Sequence, residues 1–199
     1  MERLFSDEIN LQLPDSEIVY YPHFLTLSEA DQYYRFLKEH TPWQQDDIKV
    51  FGKIYAQPRL TALYGNNKRP YSYSNIKMQP HEFTKELLYL KEKTETRAKT
   101  IFTSCLLNLY RNGKDSNGWH ADDETELGQN PIIGSISLGQ ERFFQLKHKK
   151  NKALKHKILL EHGSLLLMRG KTQHHWLHQI PKTNKPIKER INLTFRVIR

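Results

Sequence analysis

A chain of 199 residues, 37% apolar and 27% charged, is long enough to bury one hydrophobic core without covalent staples. Its single cysteine, Cys105, excludes an intrachain disulfide and a cysteine-based zinc cluster, and its longest apolar run, residues 165–168, is far too short to span a bilayer. The 31 Lys and Arg against 22 Asp and Glu leave +9 at pH 7; this favours a polyanionic partner, nucleic acid first, with a basic surface kept for solubility as the alternative.

Residues 1–20 alternate charge and apolarity with no continuous apolar core, so no secretory leader is expected and the reading is of a reducing compartment. Residues 28–40 carry helical spacing in Tyr33, Tyr34 and Leu37, with Ser28 placed to cap them and Asp31 in the first turn. Residues 48–73 are rich in β-formers and are expected to make an extra strand-loop region on one rim. A second helix is expected over 80–99, its Phe83, Leu87 and Leu90 on one stripe. Beyond residue 101 the texture changes to short strands, expected at 103–110, 132–138, 142–148, 157–160, 164–168, 174–178 and 190–198, with turns at 149–152 and 162–163. Two helices followed by many short strands point to an α+β chain: a double-stranded β-helix, or jelly roll, buttressed by N-terminal helices. No repeat or linker interrupts it, so residues 1–199 read as one domain with an arm at 1–20, a recognition rim at 48–75 and the core at 101–199.

His120-Ala121-Asp122 is the only His-x-Asp in the chain. On an extended segment both side chains face the same way and can reach one metal, although about half an occurrence of the tripeptide is expected by chance. A third ligand is offered by His174, His175 or His178. Two His and one carboxylate with open positions form the facial triad of non-haem Fe(II) oxygenases. In residues 190–197 the apolar Ile191, Leu193, Phe195 and Val197 share one face, and Arg190, Asn192, Thr194 and Arg196 share the other. Arginines turned into a barrel need an anion, because an unpaired buried guanidinium is costly. Separated by roughly 20 Å of strand, they must lean together to share a small dicarboxylate. An exposed edge strand with solvated arginines is the other reading. Asn108 and Tyr110, opposite Leu107 and Leu109, add neutral hydrogen-bonding groups suited to a carboxylate.

These residues resemble the AlkB family of Fe(II)/2-oxoglutarate dioxygenases from about Tyr20 to the C-terminus, most strongly at residues 108–111, 118–124, 135–139, 175–181 and 190–196. The order His-x-Asp, His, Arg-x5-Arg is that family's. The resemblance implies Fe(II) held by His120, Asp122 and His178, the last chosen by its Trp-x-His-x-x-Pro setting. It implies 2-oxoglutarate bound by Asn108, Tyr110, Arg190, Asn192, Thr194 and Arg196, with the two arginines on its two carboxylates, and O2 as oxidant. His174 and His175 are then packing or supporting residues.

The rim resembles the branch of the family that repairs duplex DNA. Val50-Phe51-Gly52-Lys53 matches its wedge hairpin and Tyr71-Ser72-Tyr73-Ser74 its base pocket, with Tyr73 where a Phe is familiar. A Phe51 wedge on a tight Gly52 turn can fill the gap left by a flipped base, and Tyr73 can stack on that base with His120 on its other side. Asp123 and Glu124 are placed to accept from the exocyclic amine of N1-methyladenine or N3-methylcytosine, a solvated acidic loop being the alternative. The activity implied is oxidative demethylation of such bases, releasing succinate, CO2 and formaldehyde. The partner is alkylated DNA, duplex or single-stranded, or RNA; no membrane is involved and the chain is read as a monomer. Its location would be cytoplasmic and nucleoid-associated in a bacterium, nuclear in a eukaryote. The rival readings are a related oxygenase acting on RNA or protein, which differs only at the rim, and a non-catalytic binding module, which would lack a ligand or a clamp arginine.

Overall fold

The computed structural model describes residues 8–50, 53–66, 71–73 and 76–199, the side chains of 49, 50, 71–73, 76 and 77 excepted. Strands β1 (Ile9–Asn10) and β2 (Glu17–Tyr21) lead into helix α1 (Leu27–His40). The helix is capped by Thr26 rather than the expected Ser28. Thr26 Oγ1 accepts from the Glu29 N–H at 3.2 Å while the Glu29 carboxylate accepts from the Thr26 N–H at 2.8 Å. Ser28 has Asp31 at the corresponding offset, a side chain one methylene shorter than this reciprocal pair uses.

The Thr26 N–H, then Lys93, hold the Glu29 carboxyl down at about 2 from its ordinary 4.5. A depressed carboxyl contributes stability above its unfolded pKa and loses it as pH falls toward the folded value. Glu29→Ala is therefore expected to lower Tm at pH 7 by about 2–4 °C, as for the loss of a cap. In thermal melts the gap should narrow between pH 4.5 and 2; a gap independent of pH over that window would contradict the assignment.

Strands β3 (Asp47–Val50) and β4 (Lys53–Ala56) pair as a ribbon, followed by β5 (Leu60–Gly65) and a second ribbon of β6 (Tyr71–Tyr73) and β7 (Ile76–Met78). Helix α2 (Lys85–Ala98) starts five residues later than expected, because Thr84 Oγ1 caps it and His81 is already bridged to Tyr64. Then come β8 (Ser104–Tyr110), β9 (Asn117–His120), β10 (Ile133–Gly139), β11 (Arg142–His148), β12 (Lys155–Leu160) and β13 (Ser164–Arg169). The chain closes with the single-turn helix α3 (Thr172–His175), β14 (Trp176–Ile180) and β15 (Arg190–Arg196).

Seven strands order as β1-β2-β13-β10-β15-β8-β5 and four as β12-β11-β14-β9, with every strand pairing in both sheets antiparallel. This is the expected jelly roll. Three departures from the sequence reading follow, the first with a local cause and the other two set by strand pairing across the chain. The strand expected at 174–178 begins only at Trp176, since the chain turns through Gly170 (φ +56°) into α3, where Thr172 Oγ1 donates to the Arg169 carbonyl at 2.6 Å. Within the expected rim, β5 is an integral strand of the large sheet, paired with β8 from Leu60↔Leu109 to Gly65↔Ser104. β2, which sequence patterning did not reveal, extends the same sheet beyond β13.

Alternation then sorts side chains into two cores. The outward face of the large sheet (Cys105, Leu107, Leu109, Ile191, Leu193, Phe195) packs with Leu37 of α1 and Leu87 and Leu90 of α2. Between the sheets lie Tyr110, Ile133, Phe144, Leu146, Leu166, Met168 and Trp176. Each fully buried side chain of this size contributes ~1.5–3 kcal/mol of transfer free energy. Gly134 lets α2 ride directly on the sheet, for a Cβ there would stand 2.6 Å from Thr94 Cγ2. Among the described residues, no helix is long and apolar enough to cross a membrane.

Candidate active site

The small sheet brings the metal-ligating types together. β9 pairs with β14 so that His120 and His178 are cross-strand neighbours, with ring centroids 4.2 Å apart at 65°. Phe144 stacks on the far side of His178 at 5.1 Å. Asp122 follows β9 by two residues, and its backbone N–H is fixed by Gln173 Oε1 at 2.9 Å. One ligand atom from each of His120, Asp122 and His178 lies within 4.8 Å of the others.

Protonation suits a cation. Burial, then the nearby His120, push His178 down to about 3, and burial likewise lowers His120 against the pull of Asp122. Burial alone would raise Asp122, but the charge of Arg196 and its hydrogen bonds outweigh it and hold its carboxyl below the ordinary value. Two neutral imidazoles and one carboxylate result, the state a divalent ion requires. The Nδ1 of His120 lies 2.7 Å from the Gly118 carbonyl, which makes Nδ1 the protonated nitrogen; its Nε2 accepts from the Asn117 side-chain amide at 3.2 Å, a contact that a metal at Nε2 would replace.

The large sheet supplies the opposite wall. Register pairs Arg190 with Tyr110 and Asn192 with Asn108, so the polar faces of β15 and β8 coincide. Asn108, Tyr110, Arg190, Asn192, Thr194 and Arg196 line one cavity together with His120, Asp122 and His178. The six residues expected at 2-oxoglutarate and His120, Asp122 and His178 thus share one cavity, while His174 and His175 do not line it. The two arginines differ, however. Arg196 forks onto Asp122 with contacts of 2.9, 3.0 and 3.2 Å. Arg190 is 1% exposed and has no carboxylate within ion-pair distance among the described residues. Its Nη2 donates to Ser137 Oγ at 2.9 Å and its guanidinium lies 5.2 Å from the Tyr110 ring centroid, but Nε and Nη1 are buried without partners. Burial lowers it to about 10 against the pull of Tyr110, with repulsion from Arg142 adding to the fall, so it is a cation at neutral pH.

A buried cation with two unpartnered donors, in the same cavity as a His-Asp-His cluster, fits a small dicarboxylate that the arginine would hold beside a metal site. Asn192 serves this wall internally. Its Nδ2 donates to Ser135 Oγ at 2.8 Å and its Oδ1 accepts from Thr194 Oγ1 at 3.0 Å. Asn108 Oδ1 accepts from the Arg59 Nε–H at 2.7 Å.

Other sequence candidates are distributed as follows. Glu124 turns inward: its Oε2 is buried without a partner, and burial, then the neighbouring Asp122, raise its pKa. Asp123 turns outward to Lys149 at 3.0 Å. Lys53 is exposed on β4, Tyr71 and Tyr73 belong to β6, and Phe51, Gly52 and Ser74 lie outside the described residues. His174 contacts Asn130 Oδ1 at 2.9 Å, and His175 stacks against His148 at 5.7 Å.

Sequence reasoning gave no role to Arg59, Gln173, Ser135, Ser137 or Arg142. Arg142 ties Tyr110's surroundings together: it donates to the Pro181 carbonyl at 2.7 Å and lies 5.7 Å from the Tyr110 ring centroid. The alternation Ser135-Ile136-Ser137-Leu138 was the available signal for the two serines; contacts as distant along the chain as Arg59 to Asn108 leave none. A second His/Asp group, Asp15, His148 and His175, also brings its donor atoms within 4.8 Å. There His148 Nδ1 accepts the backbone N–H groups of Lys150 and Asn151 at 3.2 and 2.9 Å, which puts the proton on Nε2, facing Asp15 at 3.4 Å. Without a free lone pair this group serves the β11–β12 turn and not a metal.

The sequence profile of the 2OG-Fe(II) oxygenase superfamily matches residues 17–196. The alpha-ketoglutarate-dependent dioxygenase alkB homolog 3 of Bos taurus is 42% identical over 197 residues, an alignment covering 92% of this chain and 66% of that protein. DNA oxidative demethylase ALKBH2 of Arabidopsis thaliana is 38% identical over 214 residues, covering 92% of this chain and 67% of that protein. The chain thus spans about two thirds of the length of these relatives. The solved structure of OsALKBH1 shares the fold with a TM-score of 0.62 at 18% identity, covering 90% of this chain and 97% of that one.

Proposed function

The chain belongs to the 2OG-Fe(II) oxygenase superfamily, and from that premise we propose that it is a dioxygenase that demethylates alkylated DNA bases, N1-methyladenine and N3-methylcytosine. The observation that carries this reading is the single cavity holding the His-Asp-His cluster at one side and an anion-seeking Arg190 at the other.

In this reading residues 1–199 act as one catalytic domain. His120, Asp122 and His178 hold Fe(II), which, with O2 and 2-oxoglutarate, supplies the oxidation of an N-methyl group; succinate, CO2, formaldehyde and the restored base are the products. Arg190, Ser137 and Tyr110 take one carboxylate of 2-oxoglutarate. Arg196 orients Asp122 and leaves its positive charge beside the other carboxylate, while Asn108, Asn192 and Thr194 shape the wall between. The barrel excludes water from the reacting face and fixes the methyl group by confinement. Glu124 holds an unpartnered acceptor near Asp122, suited to an exocyclic amine that both lesions carry beside a positive charge. Lys53 with Phe51 and Gly52 belongs to the wedge, and Tyr71 and Tyr73 to the base pocket. The ALKBH2 name, DNA oxidative demethylase, favours DNA as substrate.

The test is repair of an N1-methyladenine oligonucleotide by mass spectrometry with Fe(II), 2-oxoglutarate and ascorbate, in single-stranded DNA, duplex DNA and RNA. Repair of DNA that is lost in His178→Ala supports the proposal. Succinate production without base repair on any strand refutes the substrate assignment, and repair confined to RNA moves it to that polymer. Phe51→Ala is expected to slow duplex repair about tenfold and spare single strands, since only a duplex leaves a gap to fill. Equal slowing on both would remove the wedge role.

A further inference from the structure

Strands of the small sheet alternate like those of the large one, and their outward face is unusual. Trp119 and Phe143 stand 38% and 43% exposed. Each ring carries a lysine: Lys147 Nζ lies 4.3 Å from the Trp119 centroid and Lys157 Nζ 3.5 Å from that of Phe143. Between them Gln179 Nε2 donates to Gln145 Oε1 at 2.7 Å, a flat amide bridge. A shallow groove of 490 Å³ runs here, lined by Trp119, Gln145, Leu146, Lys147, Lys155, His156 and Lys157; none of these described lining residues is acidic. From the registers Ile180↔Asn117 and Gln145↔Gln179, the strand positions that carry the two rings are roughly 12 Å apart, taking ~4.8 Å between strands and ~3.3 Å per residue.

We propose that this outer face is a docking platform for an unpaired nucleic-acid strand running from the active site. The inference rests on the reading that the substrate is a nucleic acid. Spaced aromatic rings beside ammonium groups match a chain that presents π-faces and phosphates in alternation. A duplex hides its base faces and could use only the lysines. The path is short, because Trp119 and His120 are consecutive on β9, an edge strand, and point to opposite faces. A strand whose target base enters beside His120 passes over that edge and reaches Trp119 next. The lysines that cap the rings in the free protein swing aside to phosphates as bases take their place.

The experiment is an anisotropy titration of a labelled, unmodified oligothymidylate and of a duplex, at two or more salt concentrations, with the parent protein, Phe143→Ser and the double variant Lys147→Ala/Lys157→Ala. Phe143→Ser should weaken single-strand binding about tenfold and leave duplex binding unchanged, one base stack being removed. The double lysine variant should reduce the slope of log K against log salt by about 1.4 on single strands, two phosphate contacts being lost. Variants that bind the single strand like the parent, in a protein that repairs methylated oligonucleotide, overturn the platform and leave the proposed activity standing. A parent protein that neither binds nor repairs oligonucleotide overturns both. Equal competition by polyglutamate overturns the stacking role and makes the face a general anion surface.

Discussion

Arg190→Met is expected to make the ligand-free protein more stable while removing its ability to bind 2-oxoglutarate. The guanidinium is fully buried, has two donors without partners, and is offset only by the Ser137 hydroxyl and the Tyr110 phenol, with no carboxylate beside it among the described residues. Replacing a poorly compensated buried ion by an apolar side chain of similar length is often stabilising by about 1–4 kcal/mol. In a chain of this size that corresponds to a rise in Tm of roughly 3–10 °C. Loss of one partner of a buried charge pair costs the ligand about 2–5 kcal/mol, a thirtyfold to several-thousandfold weaker 2-oxoglutarate site. Thermal melts with and without 2-oxoglutarate separate the two effects. The parent should be stabilised by the ligand through mass action, and the variant should start higher and not respond. A variant with lower Tm that still responds to ligand would show Arg190 to be structural.

Asp122→Ala is expected to show the opposite pairing of effects, losing stability and turnover together. Asp122 is the sole carboxylate of the His-Asp-His cluster and also a partner of Arg196, to which it is joined by contacts of 2.9 to 3.2 Å in a fully buried setting. Removing it takes the buried carboxylate partner from Arg196, at a cost of about 3–5 kcal/mol. Turnover should fall by roughly a thousandfold or more, beyond the 10–100-fold typical of groups that only support metal ligands. The double variant Asp122→Leu/Arg196→Met should recover most of the Tm and none of the succinate production. Recovery of both would mean that Asp122 is only a counter-ion, and the iron site would have to be sought elsewhere.

What was legible in the sequence were the parts governed by local periodicity. Period-two alternation in residues 190–197 separates Ile191, Leu193 and Phe195 from Arg190, Asn192, Thr194 and Arg196, and those sets lie on opposite faces of β15. The choice of His178 among three nearby histidines came from the family context, since spacing alone left all three open. What the sequence hid was decided by partners far along the chain. That Arg196 is committed to Asp122 and Arg190 is not depends on residues 74 positions apart meeting at 2.9 Å. Gln173, which fixes the Asp122 backbone, sits 51 positions from it. The start of α1 failed for a local reason instead: both Thr26 and Ser28 are capping types, and only the reach of Glu29 decided between them.

The heptapeptide β15 carries the pocket on its even-numbered positions and the core on the intervening ones. One residue inserted or deleted within it would exchange the two sets, sending arginines toward the helices and isoleucine, leucine and phenylalanine into the cavity. Length variation, which surface loops tolerate far better than paired strands, is therefore expected to be closed to this segment. Change can reach it only by substitution, one letter at a time and in alternation, so descendants of this chain that gain a new substrate are expected to do so through loops of altered length while the spacing from Arg190 to Arg196 stays as it is.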